Sequence, residues 1–222
     1  MKVSEAIKSR ITVRQFLDKP VPEQTVREIL EISKRAPSGG NLQPWNVHVV
    51  AGEPLQALIK DIEGKLKSGV TEDPEYNVYP PDLIDPYKTR RRIVGQQLYD
   101  LIGVPRSDTP GKLKQLARNF RFFDAPVGMF FVLHRQMEIG QYADVGMFME
   151  NIMLLAREYG LDTCPQEAWA RWPQTLKEHL SLSDDEMLFC GLALGYKDET
   201  AVINELVSER ETFENFVTLH GL

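Results

Sequence analysis

Arg10, Thr12 and Arg14 alternate in the run Ser9-Arg10-Ile11-Thr12-Val13-Arg14. An extended backbone would therefore point two guanidinium groups and one hydroxyl to the same side. Planar, always-charged guanidinium forks suit phosphate oxygens and carbonyl edges. Basic residues offsetting the dipole of a helix C-terminus are the other reading of the same run. About twenty residues on comes Ala36-Pro37-Ser38-Gly39-Gly40-Asn41-Leu42-Gln43-Pro44-Trp45. Its small residues would let the backbone lie close against a flat ligand, with amides and a hydroxyl facing it. A tight helix stop would use the same glycines. The common catalytic signatures GxSxG, HExxH, GxxxxGK[ST] and GxGxxG are absent. His48, His134, His179 and His220 lie in unrelated contexts with no metal-ligand neighbour at helical or turn spacing, so no metal site is expected. Chemistry carried by a bound organic redox cofactor would explain that shortage, because the protein then only positions the reacting group.

The elements that must hold these residues are readable from periodicity. Val3, Ile7 and Ile11 recur every four residues and predict an opening helix. A second helix is expected to begin with Pro22 at its first position, to bury Val26, Ile29 and Leu30, and to end in the run 37–40. Trp45, Val47 and Val49 alternate with Asn46 and His48, as in a strand, and helical spacing returns over 53–68. The apolar runs 126–133 and 187–196 read as strands covered on both faces. The segment 138–160 is apolar around most of its circumference, so it is expected in a core or an oligomer interface. Helices and strands interleave without strict βα alternation, which predicts an α+β fold with a central sheet.

Residues 69–111 break this regularity, with six of the fourteen prolines and four of the seven tyrosines around a short helical stretch. A linker would be polar and flexible; an aromatic, proline-stiffened excursion reads instead as a lid or pocket wall within a single domain, 1–222. Arg90, Arg91 and Arg92 within it would either attract an anion or form a solvated helix face.

At 222 residues, 42% hydrophobic and 26% charged, the chain can bury a full core, which excludes the disordered and fibrous classes. Cys164 and Cys190 stand alone, which argues against a disulfide scaffold and a cysteine-rich zinc site and suits a reducing cytoplasm. The first residues contain no apolar signal core, and no run of about 18 apolar residues predicts a membrane span. A net charge of −6 argues against nucleic acid as a partner.

Taken together, RxTxR followed by APSGGNLQPW and a strand resembles the FMN-dependent nitroreductase family. RNFRFFDAPVGMFF, GMFMENIMLLAREYGLDTCPQEA, LFCGLALGY and VSERE continue the resemblance in the family's order, from residue 3 to the tail outside 69–111. The resemblance implies a central, mainly antiparallel sheet flanked by helices, in an intertwined homodimer with FMN at the subunit interface. It implies that Arg10, Thr12 and Arg210 contact the flavin phosphate. Ser208 stands where the family often has a lysine, so neutralisation would rest more on the two arginines. Arg14 would lie at the pyrimidine edge of the ring. From the partner chain, Pro37, Ser38 and Gly39 would pack against the ring, with Asn41 helping fix the loop. The segment Pro165, Gln166, Glu167 and Ala168 would place the Glu167 backbone amide at flavin N5, with Ala168 departing from the family's usual glycine. Asn119 would bond the flavin or, as an ordinary helix-end cap, only its own chain.

The activity implied is hydride transfer from NADH or NADPH through the flavin to nitroaromatic or quinone-like acceptors, in ping-pong fashion and with no side-chain acid required. Reductive dehalogenation of halophenols and flavin binding with little turnover are the alternatives. Tyr76, Tyr79 and Tyr87, with Phe120 and Phe122, are expected to wall a pocket for a small aromatic acceptor.

Overall fold

The central strand carries the architecture. In a computed structural model that describes residues 1–221, Val127–His134 (β2) is buried along almost its whole length. Side chains alternate across a strand. Phe130 and Val132 therefore enter one core, while Val127, Met129, Phe131 and Leu133 enter another on the opposite face. Asn46–Ala51 (β1), Asp162–Gln166 (β3) and Glu186–Gly195 (β4) complete an antiparallel sheet of order β1-β2-β4-β3.

The face below Phe130 is covered by Gly52–Lys67 (α3), through Leu55, Leu58, Ile59 and Ile62, and by Leu176 of Pro173–Leu180 (α7). The other face is covered by Glu23–Ser33 (α2), through Val26 and Ile29, and by Ile139–Glu158 (α6), through Val145, Phe148, Met149, Ile152 and Ala156. Pro22 caps α2 rather than opening it. Trp45 stacks on Phe148 with ring centroids 4.8 Å apart, which seats the start of β1 on α6.

One irregularity in β4 matters for its neighbours. Phe131 pairs with Cys190 and Val132 with Leu188, so Phe189 is an extra residue without a partner on β2. Such a bulge inverts the side-chain alternation beyond it. Leu188 thus faces the first core, whereas Cys190, Leu192 and Leu194 face the second.

The opening helix, Val3–Ser9 (α1), forms as the spacing predicts but buries only Ala6. Val3 and Ile7 point outward, 71% and 53% exposed, because α1 meets α6 through its other side. On α6 itself Ile139 is 87% exposed. The apolar periodicity therefore identifies faces that a single protomer leaves uncovered.

Residues 70–86 run irregularly but are fastened to the body of the fold at Glu72, Glu75 and Tyr76. The Glu72 carboxylate accepts the backbone N–H groups of Gln174 and Thr175 at the α7 N-terminus, at 2.7 and 3.2 Å. This is where a negative charge is favoured. Glu75 pairs with Arg135, and the Tyr76 hydroxyl donates to the carbonyl of the bulged Phe189. The excursion then continues as Tyr87–Leu101 (α4) and Thr109–Ala117 (α5), the latter capped by Asp108 accepting from the Gly111 N–H at 2.9 Å. No helix among the described residues is long and apolar enough to cross a membrane.

Candidate functional site

The segment after α1 is extended, as the alternation requires. Its backbone is held from both flanks: Val13 N–H donates to Thr163 O of β3 at 3.0 Å, and Arg14 N–H donates to Asn204 Oδ1 at 2.8 Å. Val13 is fully buried, so its alternating neighbours Thr12 and Arg14 face away from the core. They face a cleft of about 430 Å³ walled by Lys8, Arg10, Thr12 and Arg14 on one side and Leu206, Val207, Ser208 and Arg210 on the other, with Val94 of α4 and Glu150 of α6.

Four cationic side chains thus meet one carboxylate in a protein of net charge −6. None of Arg10, Arg14 and Arg210 has a carboxylate partner within ion-pair distance among the described residues. Among the described residues the Arg14 guanidinium donates only to Thr12 O, at 3.3 Å, and that of Arg210 only to Ser208 and the Glu209 carbonyl, at 2.8–3.0 Å. Guanidinium groups left without counter-charges suit an anion with several oxygens, and Thr12 and Ser208 add hydroxyls. The donor set therefore fits a phosphate-bearing group such as FMN. Lys8 escaped the sequence reading because it sits in the last turn of α1, where a basic residue is explained by the helix dipole alone. Asn204 escaped it because an asparagine in a polar tail carries no signal.

The 165–168 segment leaves β3 into a turn of 3-10 helix, Glu167–Arg171. Gln166 is buried, and its Nε2 donates to Asn119 O at 2.8 Å and to Asn119 Oδ1 at 3.2 Å. Its Oε1 is a buried acceptor with no partner among the described residues. Asn119 Nδ2 donates to Leu116 O at 2.9 Å, so its amide closes the end of α5 and also braces Gln166. Pro165 and Glu167 are exposed and Ala168 is half-buried.

Glu167 keeps a solvent-exposed edge, yet burial of part of its side chain pushes its carboxyl above the ordinary range, with no other cause opposing. The proton is therefore held more tightly in the folded state. The resulting cost is absent in acid, develops once pH passes the ordinary carboxyl value, and remains at neutrality. Glu167→Gln is expected to raise the melting temperature near pH 7, with the advantage shrinking toward about pH 4. Melting curves of both proteins across that range check it; an advantage that grows in acid would contradict it.

The 37–41 loop lies elsewhere on the protomer and is not among the walls of the arginine cleft. Gly39 N–H donates to the buried carboxylate of Asp144 on α6 at 3.2 Å, and Ser38 Oγ accepts from Gln43 N–H at 3.0 Å. Gly40, Asn41 and Gln43 take left-handed φ values of 57°, 56° and 49°. Pro37, Gly39 and Asn41 are exposed and Ser38 is half-buried, so the loop is presented outward on a fixed base.

The aromatic residues expected around an acceptor separate into two groups. Phe120 and Phe122 are 5% and 0% exposed and packed on Trp169 within the first core. The cause is backbone geometry: Phe122, Phe123 and Asp124 all have left-handed φ, of 50°, 54° and 68°, and the turn throws the rings under β2. Tyr79 and Tyr87 remain exposed, with the Arg91 guanidinium 4.0 Å from the Tyr79 ring centre and that of Arg90 5.8 Å from Tyr87. Arg90 also pairs with Glu211 at 2.7 Å, so neither Arg90 nor Arg91 is a freely solvated charge. Tyr76 is half-buried against Phe189 with its hydroxyl engaged, and burial raises that hydroxyl above its ordinary value. Both cysteines are buried; desolvation pushes the Cys164 thiol up to about 12 and raises Cys190 as well. No group of three or more His, Cys, Asp or Glu residues among the described residues could hold a metal ion.

Known proteins resemble this chain over most of its length. Residues 7–196 match the family model described as Nitroreductase family. The chain is 39% identical over 217 residues to a chloronitrobenzene nitroreductase of Comamonas testosteroni, covering 97% of this chain and 96% of that protein. It is 37% identical over 217 residues to a nitrobenzene nitroreductase of Ectopseudomonas oleovorans, covering 97% and 96%. The crystal structure of the FMN- and NADPH-dependent nitroreductase NfnB from Sphigopyxis sp. strain HMH superposes with a TM-score of 0.97 at 42% identity, over 100% of both chains.

Proposed function

Because the chain belongs to the nitroreductase family, we propose that it is an FMN-dependent oxidoreductase that passes hydride from NADPH to nitroaromatic acceptors. The observation that carries this reading is the cleft itself: Lys8, Arg10, Arg14 and Arg210 converge with Thr12 and Ser208, and among the described residues the arginines have no carboxylate at ion-pair distance. When bound there, FMN supplies a ring that accepts hydride from the nicotinamide and returns it to the acceptor.

The residues of this chain divide the remaining work. Arg10, Arg210 and Lys8 neutralise the phosphate, with Thr12 hydrogen-bonding to it; Lys8 supplies charge that Ser208 does not. Arg14 would hold a permanent cation beside the ring, the charge that would favour its uptake of hydride. The Glu167 backbone N–H would serve the reacting edge of the ring, from a segment that Gln166 and Asn119 brace. The 37–41 loop reaches the cleft of a second copy, since it faces outward and does not wall the cleft of its own chain. A homodimer is therefore the active unit, and the exposed side chains of Val3, Ile7 and Ile139 are part of the surface it covers. Tyr79 and Tyr87 form the wall against which a small aromatic acceptor stacks.

Arg210 is the clearest test of the phosphate assignment. Arg210→Ala is expected to weaken FMN retention by about 1.5–3 kcal/mol, the scale of a hydrogen bond to a charged group. Titration of apoprotein with FMN measures it, and retention as tight as in the parent would refute the assignment.

A further inference from the structure

The two walls of the arginine cleft come from chain segments almost two hundred residues apart, and one buried side chain joins them. Asn204, 3% exposed, lies in the 3-10 turn Val202–Glu205, just before Leu206, Val207, Ser208 and Arg210 enter the cleft. Its Oδ1 accepts the Arg14 N–H at 2.8 Å, and its Nδ2 donates to Gln15 O at 2.8 Å and to Asp198 O at 3.0 Å. Both amide hydrogens and the carbonyl are thus engaged by backbone. Every partner lies either in the segment that carries Arg14 or at the base of the tail that carries Arg210. On the far flank of that segment, Val13 is already tied to Thr163 of β3. Arg14 is therefore clamped between the sheet and Asn204, and the tail is hung from the same amide.

We propose that Asn204 is a positioning residue that sets the spacing of Arg14 and Arg210 across the cleft, and through it the preference for a ligand that engages both. Gln15 O also accepts the Asp198 N–H at 3.1 Å and Tyr196 O accepts the Leu17 N–H at 2.8 Å, so the base of the tail stays tethered without Asn204, but Arg14 loses its own tie. Without the clamp the arginines still face the cleft, but their separation is no longer fixed. A ligand with a ring for Arg14 and a phosphate for Arg210 then loses the advantage of binding both at once.

The inference rests on the cleft being the FMN site, and its test uses a comparison that separates the two claims. Apoprotein is titrated with FMN and with riboflavin, which has the same ring but no phosphate. Asn204→Ala and Asn204→Ser are expected to raise Kd for FMN by about tenfold or more while changing that for riboflavin much less, so the preference for FMN falls. A loss of general packing would weaken both ligands alike, and that result would overturn the inference, as would an unchanged preference. If neither variant folds, Asn204 is a fold-stability residue and the inference is equally overturned. A parent apoprotein that binds neither ligand would instead refute the functional reading on which it rests.

Discussion

Arg14→Ala is expected to lower kcat for nitroaromatic reduction by roughly 100-fold while FMN remains partly bound, with the reduction potential of the bound flavin shifted downward. The magnitude is that of deleting one preorganised charge-stabilising donor from an active site. The direction follows from when the charge is needed. Negative charge reaches the ring only as hydride arrives, so a cation at its edge favours the later state over the earlier one and acts on kcat more than on KM. The structure supplies the preorganisation: Arg14 has its main chain tied to Asn204 and its side chain in the cleft, with no carboxylate at ion-pair distance among the described residues. Arg14→Lys is expected to recover part of the effect, because the charge returns without the planar fork. Steady-state kinetics and a potential titration of the loaded protein check both variants, and an unchanged potential in the alanine variant would remove Arg14 from this role.

Trp169→Ala is expected to cost about 3–5 kcal/mol of folding stability, the range for deleting a fully buried aromatic side chain. For a domain of this size that is a melting temperature lower by roughly 6–20 °C. The indole stands at the centre of the first core, with ring centroids 4.5 Å from Phe122, 5.0 Å from Phe130 and 5.6 Å from Phe120. It also lies over the backbone of Gly191: a Cβ there would fall 2.4 Å from Trp169 Cδ1, so Gly191→Ala attacks the same contact from the other side. Because Trp169 belongs to the turn that begins at Glu167, its loss also frees the 165–168 segment and weakens FMN binding. Trp169→Phe is expected to cost much less, since the buried Nε1 has no partner to lose among the described residues. Thermal melting of the three variants decides this, and a Trp169→Ala protein that melts with the parent would refute it.

The parts of this protein that were legible in its sequence are those with a short period. Arg10, Thr12 and Arg14 alternate, the backbone is extended there, and the side chains share one cleft as the alternation requires. The strands at 127–134 and 186–195 and the helix at 139–158 lie where their apolar patterns put them. What stayed hidden depends on geometry that composition does not encode. Phe120 and Phe122 look like pocket aromatics until three successive left-handed residues turn the chain inward. The stripe of Val3 and Ile7 announces an apolar face without saying that α1 turns that face outward. The bulge at Phe189 reverses which residues of β4 meet which core, and its free carbonyl is what fixes Tyr76 to the sheet. Asn204 and Asp144 act on backbone groups distant in sequence, Arg14 N–H and Gly39 N–H, and nothing local marks them.

The central claim is that this cleft holds a flavin which NADPH reduces and a nitroaromatic compound reoxidises. The visible spectrum of the purified protein loaded with FMN tests it most directly, recorded without oxygen before NADPH, after NADPH, and again after adding nitrobenzene. The account predicts a yellow protein whose flavin band is bleached by NADPH and restored by nitrobenzene. A protein that stays colourless when FMN is supplied, or whose flavin band NADPH leaves intact, would contradict it.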